Sequence, residues 1–313
     1  MTTSDPRHDR IASDSQKSSH HNTANVQTNV HTTSDVNNKR DIHKQSDISN
    51  KSDVNEIPST SIVNAQSVLI TGASSGIGKQ LAIDYAKEGW HVFACGQNEE
   101  KLNQLIEAET TDRRQGLIEP LVFDVTNADE VQTVLGTLTW LPELIILNAG
   151  TCEYIENGWV DAALFRRVFD INVFGMLNCI EAMQSRFTAN THLALMGSTA
   201  CYVPLPRAEA YGASKAACAY IAHTLAIDLA NRGVTVSLIS PGFVKTPLTD
   251  KNDFAMPLLV SPEYASEKIR QGIGKKKREI HFPRRFSLFM KMLALLPLNI
   301  QLAAIKRMTG KTA

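Results

Sequence analysis

From Ser67 onward, short apolar and β-branched runs alternate with longer stretches whose apolar residues recur at helical spacing. The runs predict strands over 67–70, 91–95, 120–123, 144–147, 192–196 and 234–239, with 280–282 as a seventh. The stretches between them predict helices over 76–88, 99–109, 128–138, 161–187, 208–231 and 262–272. Strict β-α alternation implies a parallel sheet covered by helices on both faces. Leu144-Ile145-Ile146-Leu147 shows no polar alternation, as befits a strand buried on both sides. Right-handed crossovers then give an α/β fold, a Rossmann-like doubly wound parallel sheet in a single domain. Its ligands bind beyond the carboxyl ends of the strands.

The pattern stops at both ends of the chain. Residues 1–64 are rich in Ser, Thr, Asn, Asp, His and Lys, with few large apolar side chains. Such a segment cannot bury enough surface to offset its ordering entropy, so a disordered polar extension is predicted. A six-residue spacing runs through Asp35, Asp41, Asp47 and Asp53, each followed by Val or Ile. Four polar copies without glycine cannot close a β-helix, which leaves a low-complexity linker. Five of the nine histidines fall here, His20 and His21 adjacent, but without a dense ligand cluster, so no metal site is expected.

The catalytic domain is placed at 65–274. Beyond it, 275–313 is a basic extension: Lys275, Lys276, Lys277, Arg278, Arg284, Arg285, Lys291, Lys306 and Arg307 are interleaved with Phe286, Leu288, Phe289, Leu295 and Ile305. Pro297 splits it into two short helical candidates. One reading is a helical lid packed on the core; the other is a peripheral contact with an anionic membrane surface.

Composition narrows the function. The net charge is zero over 313 residues, which points away from a nucleic-acid partner. Five scattered cysteines form no CxxC pair and fit a reducing compartment better than a disulfide framework. No apolar run reaches the roughly 18 residues of a membrane span. The N-terminus lacks a basic region followed by an apolar stretch, so the expected location is cytoplasmic.

Two motifs carry chemistry. Thr71-Gly72-Ala73-Ser74-Ser75-Gly76-Ile77-Gly78 directly follows a predicted strand and opens a helix. Gly72 and Gly76 permit a tight turn and close backbone approach to a pyrophosphate, and Gly78 permits close helix–strand packing. The helix start then offers free N–H groups and its positive dipole end to phosphates. The second motif is Tyr211-Gly212-Ala213-Ser214-Lys215, with Ser198 thirteen residues before Tyr211. Tyr211 and Lys215 share one helical face. An ammonium beside the phenol favours tyrosinate, so Tyr211 can exchange a proton with a substrate oxygen while a hydride moves at the adjacent carbon. Taken alone, such a pair is more often an ordinary helix-surface contact; the strand-end serine and the glycine turn shift the reading to catalysis.

These residues resemble the short-chain dehydrogenase/reductase family from about Ser67 to Pro262. Further markers are Asp124-Val125, Asn148-Ala149-Gly150, Asn172-Val173-Phe174-Gly175 and Pro241-Gly242-Phe243-Val244-Lys245-Thr246. The resemblance implies a catalytic tetrad of Asn172, Ser198, Tyr211 and Lys215. It places Tyr211 as general acid in reduction, Ser198 on the substrate oxygen, Lys215 on the nicotinamide ribose and Asn172 on a relay water. The same resemblance assigns the cofactor to Gly72, Ser74, Ser75, Gly76, Ile77, Gly78, Gln97, Asp124, Val125, Asn148, Ala149, Gly150, Pro241, Gly242, Val244 and Thr246, with Tyr211 and Lys215. Leu147 stands where the family usually has a first asparagine. The second strand ends Cys95-Gly96-Gln97-Asn98, with no acidic residue to favour NAD, so NADP(H) is the expected cofactor.

An oxidoreductase interconverting a small-molecule carbonyl and an alcohol, as an NADPH-dependent reductase of an apolar substrate and a homodimer or homotetramer through 161–187 and 208–231, is the implied function. The rival is a nucleotide-sensing or membrane-surface adaptor on the same fold. Substrate selectivity is expected in 199–208 and 247–261, mostly apolar, with Arg207 as an anion contact.

Overall fold

The computed structural model describes residues 66–109 and 116–310; the polar extension, with its six-residue spacing and its histidines, lies outside them. Seven strands form one sheet: β1 (Ser67–Thr71), β2 (His91–Gly96), β3 (Ile118–Val122), β4 (Leu144–Leu147), β5 (His192–Met196), β6 (Thr235–Pro241) and β7 (Glu279–Phe282). All neighbours pair in parallel, in the order β3-β2-β1-β4-β5-β6-β7. The order reverses between β1 and β4, which makes their carboxyl ends the place for a ligand.

The connecting helices are α1 (Gly76–Lys87), α2 (Glu99–Glu109), α3 (Ala128–Gly136), α4 (Ala162–Phe169), α5 (Gly175–Met183), α6 (Glu209–Asp228) and α7 (Pro262–Gly274). Two more, α8 (Arg284–Ala294) and α9 (Leu298–Met308), follow β7. Because successive strand residues point to opposite faces, β1 feeds two cores. Val68 and Ile70 join Leu81 of α1 and Ile269 of α7 on one side. Leu69 joins Met183 of α5 and Cys218 of α6 on the other.

Two elements differ from the sequence pattern. β3 starts two residues earlier than predicted and leaves out Phe123. It is an edge strand, where Pro120 is tolerated because a missing N–H need not break a ladder. The single helix predicted over 161–187 is broken by a π turn at Asp170–Phe174, and ends in a 3₁₀ turn at Gln184–Arg186. The seventh strand falls where the pattern put it, and β7 pairs with β6 from Leu238 to Pro241. α8 and α9 do pack on the fold: Phe286, Met290, Leu293 and Ile305 are buried together with Val203. No helix among the described residues is long and apolar enough to cross a membrane.

Candidate active site

At the carboxyl end of β1 the chain turns at Gly72, whose φ of +68° only glycine adopts without strain. Gly78 then presses on that turn: a Cβ there would sit 2.3 Å from the Gly72 carbonyl oxygen. Ser75 precedes α1, yet its hydroxyl makes no capping bond, whereas Asn127, Asp161 and Ser261 cap α3, α4 and α7. The first N–H groups of α1, which have no intrahelical partner, therefore face the turn uncapped.

The ends of β1 and β4 are stapled together. The Thr71 hydroxyl oxygen accepts from the backbone N–H of Asn148 and of Ala149, both at 3.0 Å. Asn148 Nδ2 donates back to the Thr71 carbonyl at 2.9 Å. Asn148 thus holds the glycine turn against the centre of the sheet.

The acid-base residues lie just past the end of β5, on α6 and in the π turn between α4 and α5. Lys215 is buried, and its Nζ donates to the Met196 carbonyl at 2.9 Å. It stands 5.9 Å from the centroid of the Tyr211 ring. Ser198 Oγ accepts from Ala200 N–H at 3.1 Å, which leaves its own proton to donate. Asn172 sits in the π turn. Its Oδ1 accepts from Thr151 N–H at 2.7 Å, and its Nδ2 donates to the Thr151 carbonyl and to Ser214 Oγ, both at 2.9 Å. Its backbone carbonyl accepts from the Cys218 thiol at 3.1 Å. A Cβ on Gly150 would lie 3.0 Å from Asn172 Oδ1 and 3.3 Å from Lys215 Nζ, so glycine is what lets this group close.

Burial dominates the electrostatics here. It pushes the Tyr211 phenol well above the usual tyrosine range; Cys152 adds to this, and a hydrogen bond with Ser198 pulls it part of the way back. Burial pushes the Lys215 amine down. The lowering of Tyr211 by an adjacent ammonium, expected from the i, i+4 spacing, is outweighed by this desolvation. Asp124 behaves oppositely: burial raises it, but hydrogen bonds from the Thr126 N–H and hydroxyl, both 2.8 Å, and from Gln97 bring it below the ordinary carboxylate range.

A cleft of about 370 Å³ joins the two halves. Gly72, Ser74, Ser75, Gly76, Ile77 and Gln97 line it, together with Tyr211, Lys215, Pro241, Gly242, Val244 and Thr246. Val125, Asn148, Ala149 and Gly150 also lie on its wall. Gly78, Asp124, Asn172 and Ser198 brace this lining: they hold Gly72, Gln97, Thr151 and Tyr211 respectively.

Two features escaped sequence reading. Thr249 accepts from Thr246 N–H at 2.9 Å and donates to the Val244 carbonyl at 2.7 Å, which shapes the turn after β6. Arg207, expected to meet an anion, instead bridges two loops through Glu156 at 2.5 Å and Asp253 at 2.7 Å. A carboxylate pair across loops leaves no local signature in the chain, so neither contact was legible.

Residues 66–255 match the family described as short chain dehydrogenase. An uncharacterized oxidoreductase of Myxococcus xanthus is 32% identical over 249 residues, 78% of this chain and 97% of the relative. The chain belongs to the short-chain dehydrogenase/reductase family. As a short-chain dehydrogenase/reductase it is an oxidoreductase. Sulfoacetaldehyde reductase 2 of Chromohalobacter salexigens is 33% identical over 192 residues, 58% of this chain and 74% of that one. Among solved structures, the short-chain dehydrogenase of Sphingobium yanoikuyae in complex with NADPH has the same fold. It superposes with a TM-score of 0.64 at 21% identity, over 74% of this chain and 96% of that one. A short-chain dehydrogenase/reductase of Burkholderia phymatum in complex with NAD gives 0.64 at 20%, over 72% and 92%.

Proposed function

We propose that this short-chain dehydrogenase/reductase interconverts a carbonyl and an alcohol with a nicotinamide dinucleotide, and that it works as an NADPH-dependent reductase of an apolar substrate. The observation that carries the reading is the placement of Tyr211 and Lys215 on the wall of the same cleft that begins at the glycine turn. The residues fit a dinucleotide: the uncapped start of α1 and the turn at Gly72 offer backbone N–H groups to a pyrophosphate. Relatives in fold bind NADPH or NAD.

Bound there, the nicotinamide supplies the hydride. Tyr211, kept protonated at neutral pH by burial, donates its proton to the substrate oxygen. Ser198, its Oγ held by Ala200 N–H, donates a hydrogen bond to the same oxygen. Lys215 holds the ribose and stands beside the Tyr211 ring. Asn172 positions the Thr151 segment and, through its carbonyl, the inner face of α6. Gln97 at the end of β2 favours NADP, because no carboxylate there repels a 2′-phosphate. Phe174, Tyr220 and Ile227 are exposed on α6 and the helices before it, and support a homodimer or homotetramer.

Tyr211→Phe tests the assignment. Turnover falls by about a thousandfold while NADPH affinity, followed by fluorescence, stays within a factor of about two; retained turnover overturns it. The cofactor preference is tested by the Michaelis constants: NADPH has clearly the lower one, and equality with NADH or the reverse order refutes the role given to Gln97.

A further inference from the structure

We propose that α8 and α9 together form a docking surface for an anionic lipid bilayer. The inner sides of these helices are occupied: Phe286, Met290, Leu293 and Ile305 are buried against Tyr202, Val203, Leu205 and Phe243. Gln301 Nε2 donates to the Leu293 carbonyl at 3.2 Å across the turn that joins them. The pair is thus fixed to the fold rather than loosely attached.

Its outer side is apolar as well. Leu288, Met292 and Leu295 on and after α8, and Leu298, Ile300 and Leu302 on α9, are between 45% and 85% exposed. A surface helix of a globular protein normally turns charged residues outward. These helices turn leucines outward on both sides of the Leu295-Leu296-Pro297 turn.

Charge selects the occupant. The chain as a whole is neutral, yet residues 275–313 hold ten Lys and Arg against one acidic residue, Glu279. That carboxylate is already engaged by Lys291 and by the Tyr202 hydroxyl. Arg284 and Arg285 open α8, and Lys306 and Arg307 lie in the last turn of α9, at the ends remote from the apolar turn. Cations at the rim with apolar side chains between them match the headgroup boundary of a bilayer. Apolar groups enter about 5–10 Å there, and Lys and Arg stems extend to the phosphates. A second copy of this chain would set the same cations against each other, whereas anionic lipid neutralises them. The helices rest on the loop that follows Ser198, so docking turns that loop toward the bilayer. The inference stands on surface geometry and charge alone and does not depend on the redox reading.

Flotation of the full-length protein with vesicles of phosphatidylcholine, or phosphatidylcholine containing about a third phosphatidylglycerol, tests it. The protein floats with the anionic vesicles at low salt, and binding weakens at about 1 M salt, where the Debye length is about 3 Å. The double variant Leu295→Asp/Leu298→Asp binds at least about tenfold less with an unchanged thermal midpoint, both side chains being exposed. Lys306→Glu/Arg307→Glu lowers binding to that seen on phosphatidylcholine alone. Protein that stays unbound on anionic vesicles at low salt overturns the proposal, as does a leucine variant that floats like the wild type. Wild-type protein that stays off the anionic vesicles, while light scattering shows the leucine variant losing oligomeric order, also overturns it, by assigning the face to a second copy.

Discussion

His192 offers a quantitative test of how this sheet depends on pH. It opens β5 in the middle of the sheet and is buried. Ser237 donates its hydroxyl proton to the Lys277 carbonyl at 2.6 Å, so its oxygen accepts from His192 Nε2–H at 2.7 Å. This relay fixes the ring with its Nε2–H toward Ser237. Burial first, and the Lys276 charge second, push the His192 pKa down to about 4 from an ordinary 6.5. The unfolded chain therefore binds a proton over this interval that the folded chain refuses. Stability is fully present above about 6.5 and is lost as the pH falls toward 4. At about 1.4 kcal/mol per pKa unit, the full effect is about 3.4 kcal/mol, and about 2 kcal/mol of it is gone by about pH 5. Urea unfolding from neutral pH downward measures it, with His192→Gln as reference. His281, Asp253 and Glu279, whose pKa values are also shifted, titrate alike in both proteins, so the difference isolates His192. Wild type and variant losing stability in parallel between about pH 6.5 and 4.5 would refute the reasoning.

Two further outcomes follow from the cleft. Gly78→Ala places a Cβ 2.3 Å from the Gly72 oxygen and 2.6 Å from Asn148 Nδ2, so the glycine turn must open; stability drops by more than about 2 kcal/mol in denaturant melts and NADPH affinity falls with it, and a variant as stable and as tight as wild type contradicts the packing. Arg207→Ala frees Glu156 and Asp253, both largely exposed. The thermal midpoint then changes by less than about 1 kcal/mol equivalent, while the Michaelis constant for the carbonyl rises more than that for NADPH; equal effects on both would mean that Arg207 does not set the substrate loops.

The sheet was legible because its strands are apolar runs at the length and spacing of βαβ units. Leu144–Leu147 needed nothing beyond its own pattern. The site was legible where function demands fixed residue types in sequence, as at Gly72, Gly76 and Gly78, or Tyr211 and Lys215. Legibility failed where one residue's environment comes from distant segments. The i, i+4 spacing announces that Lys215 and Tyr211 are neighbours, but not that Lys215 is buried beside a half-buried Tyr211. The Lys215 amine is turned to the Met196 carbonyl, contributed by another strand. Asp124 was expected among the cofactor contacts. What the chain alone conceals is that its carboxylate is tied to Thr126 two residues on and to Gln97 at the end of β2.

The π turn at Asp170–Phe174 carries a consequence for how this segment can change. A π turn holds one residue more than the helical repeat allows, so the stripe on α5 is out of phase with that on α4. Leu164 and Val168 of α4 pack with Ile155 and Ala210, whereas Met176, Cys179, Ile180 and Met183 of α5 join the central core. Removing any one residue between Asp170 and Phe174 would restore a regular helix and rotate the whole of α5 by about 100°. Asn172 would lose its place beside Thr151, and four core side chains would face elsewhere. Substitutions that keep the number of residues leave the phase intact. In this stretch it is chain length, more than side-chain identity, that the fold holds constant.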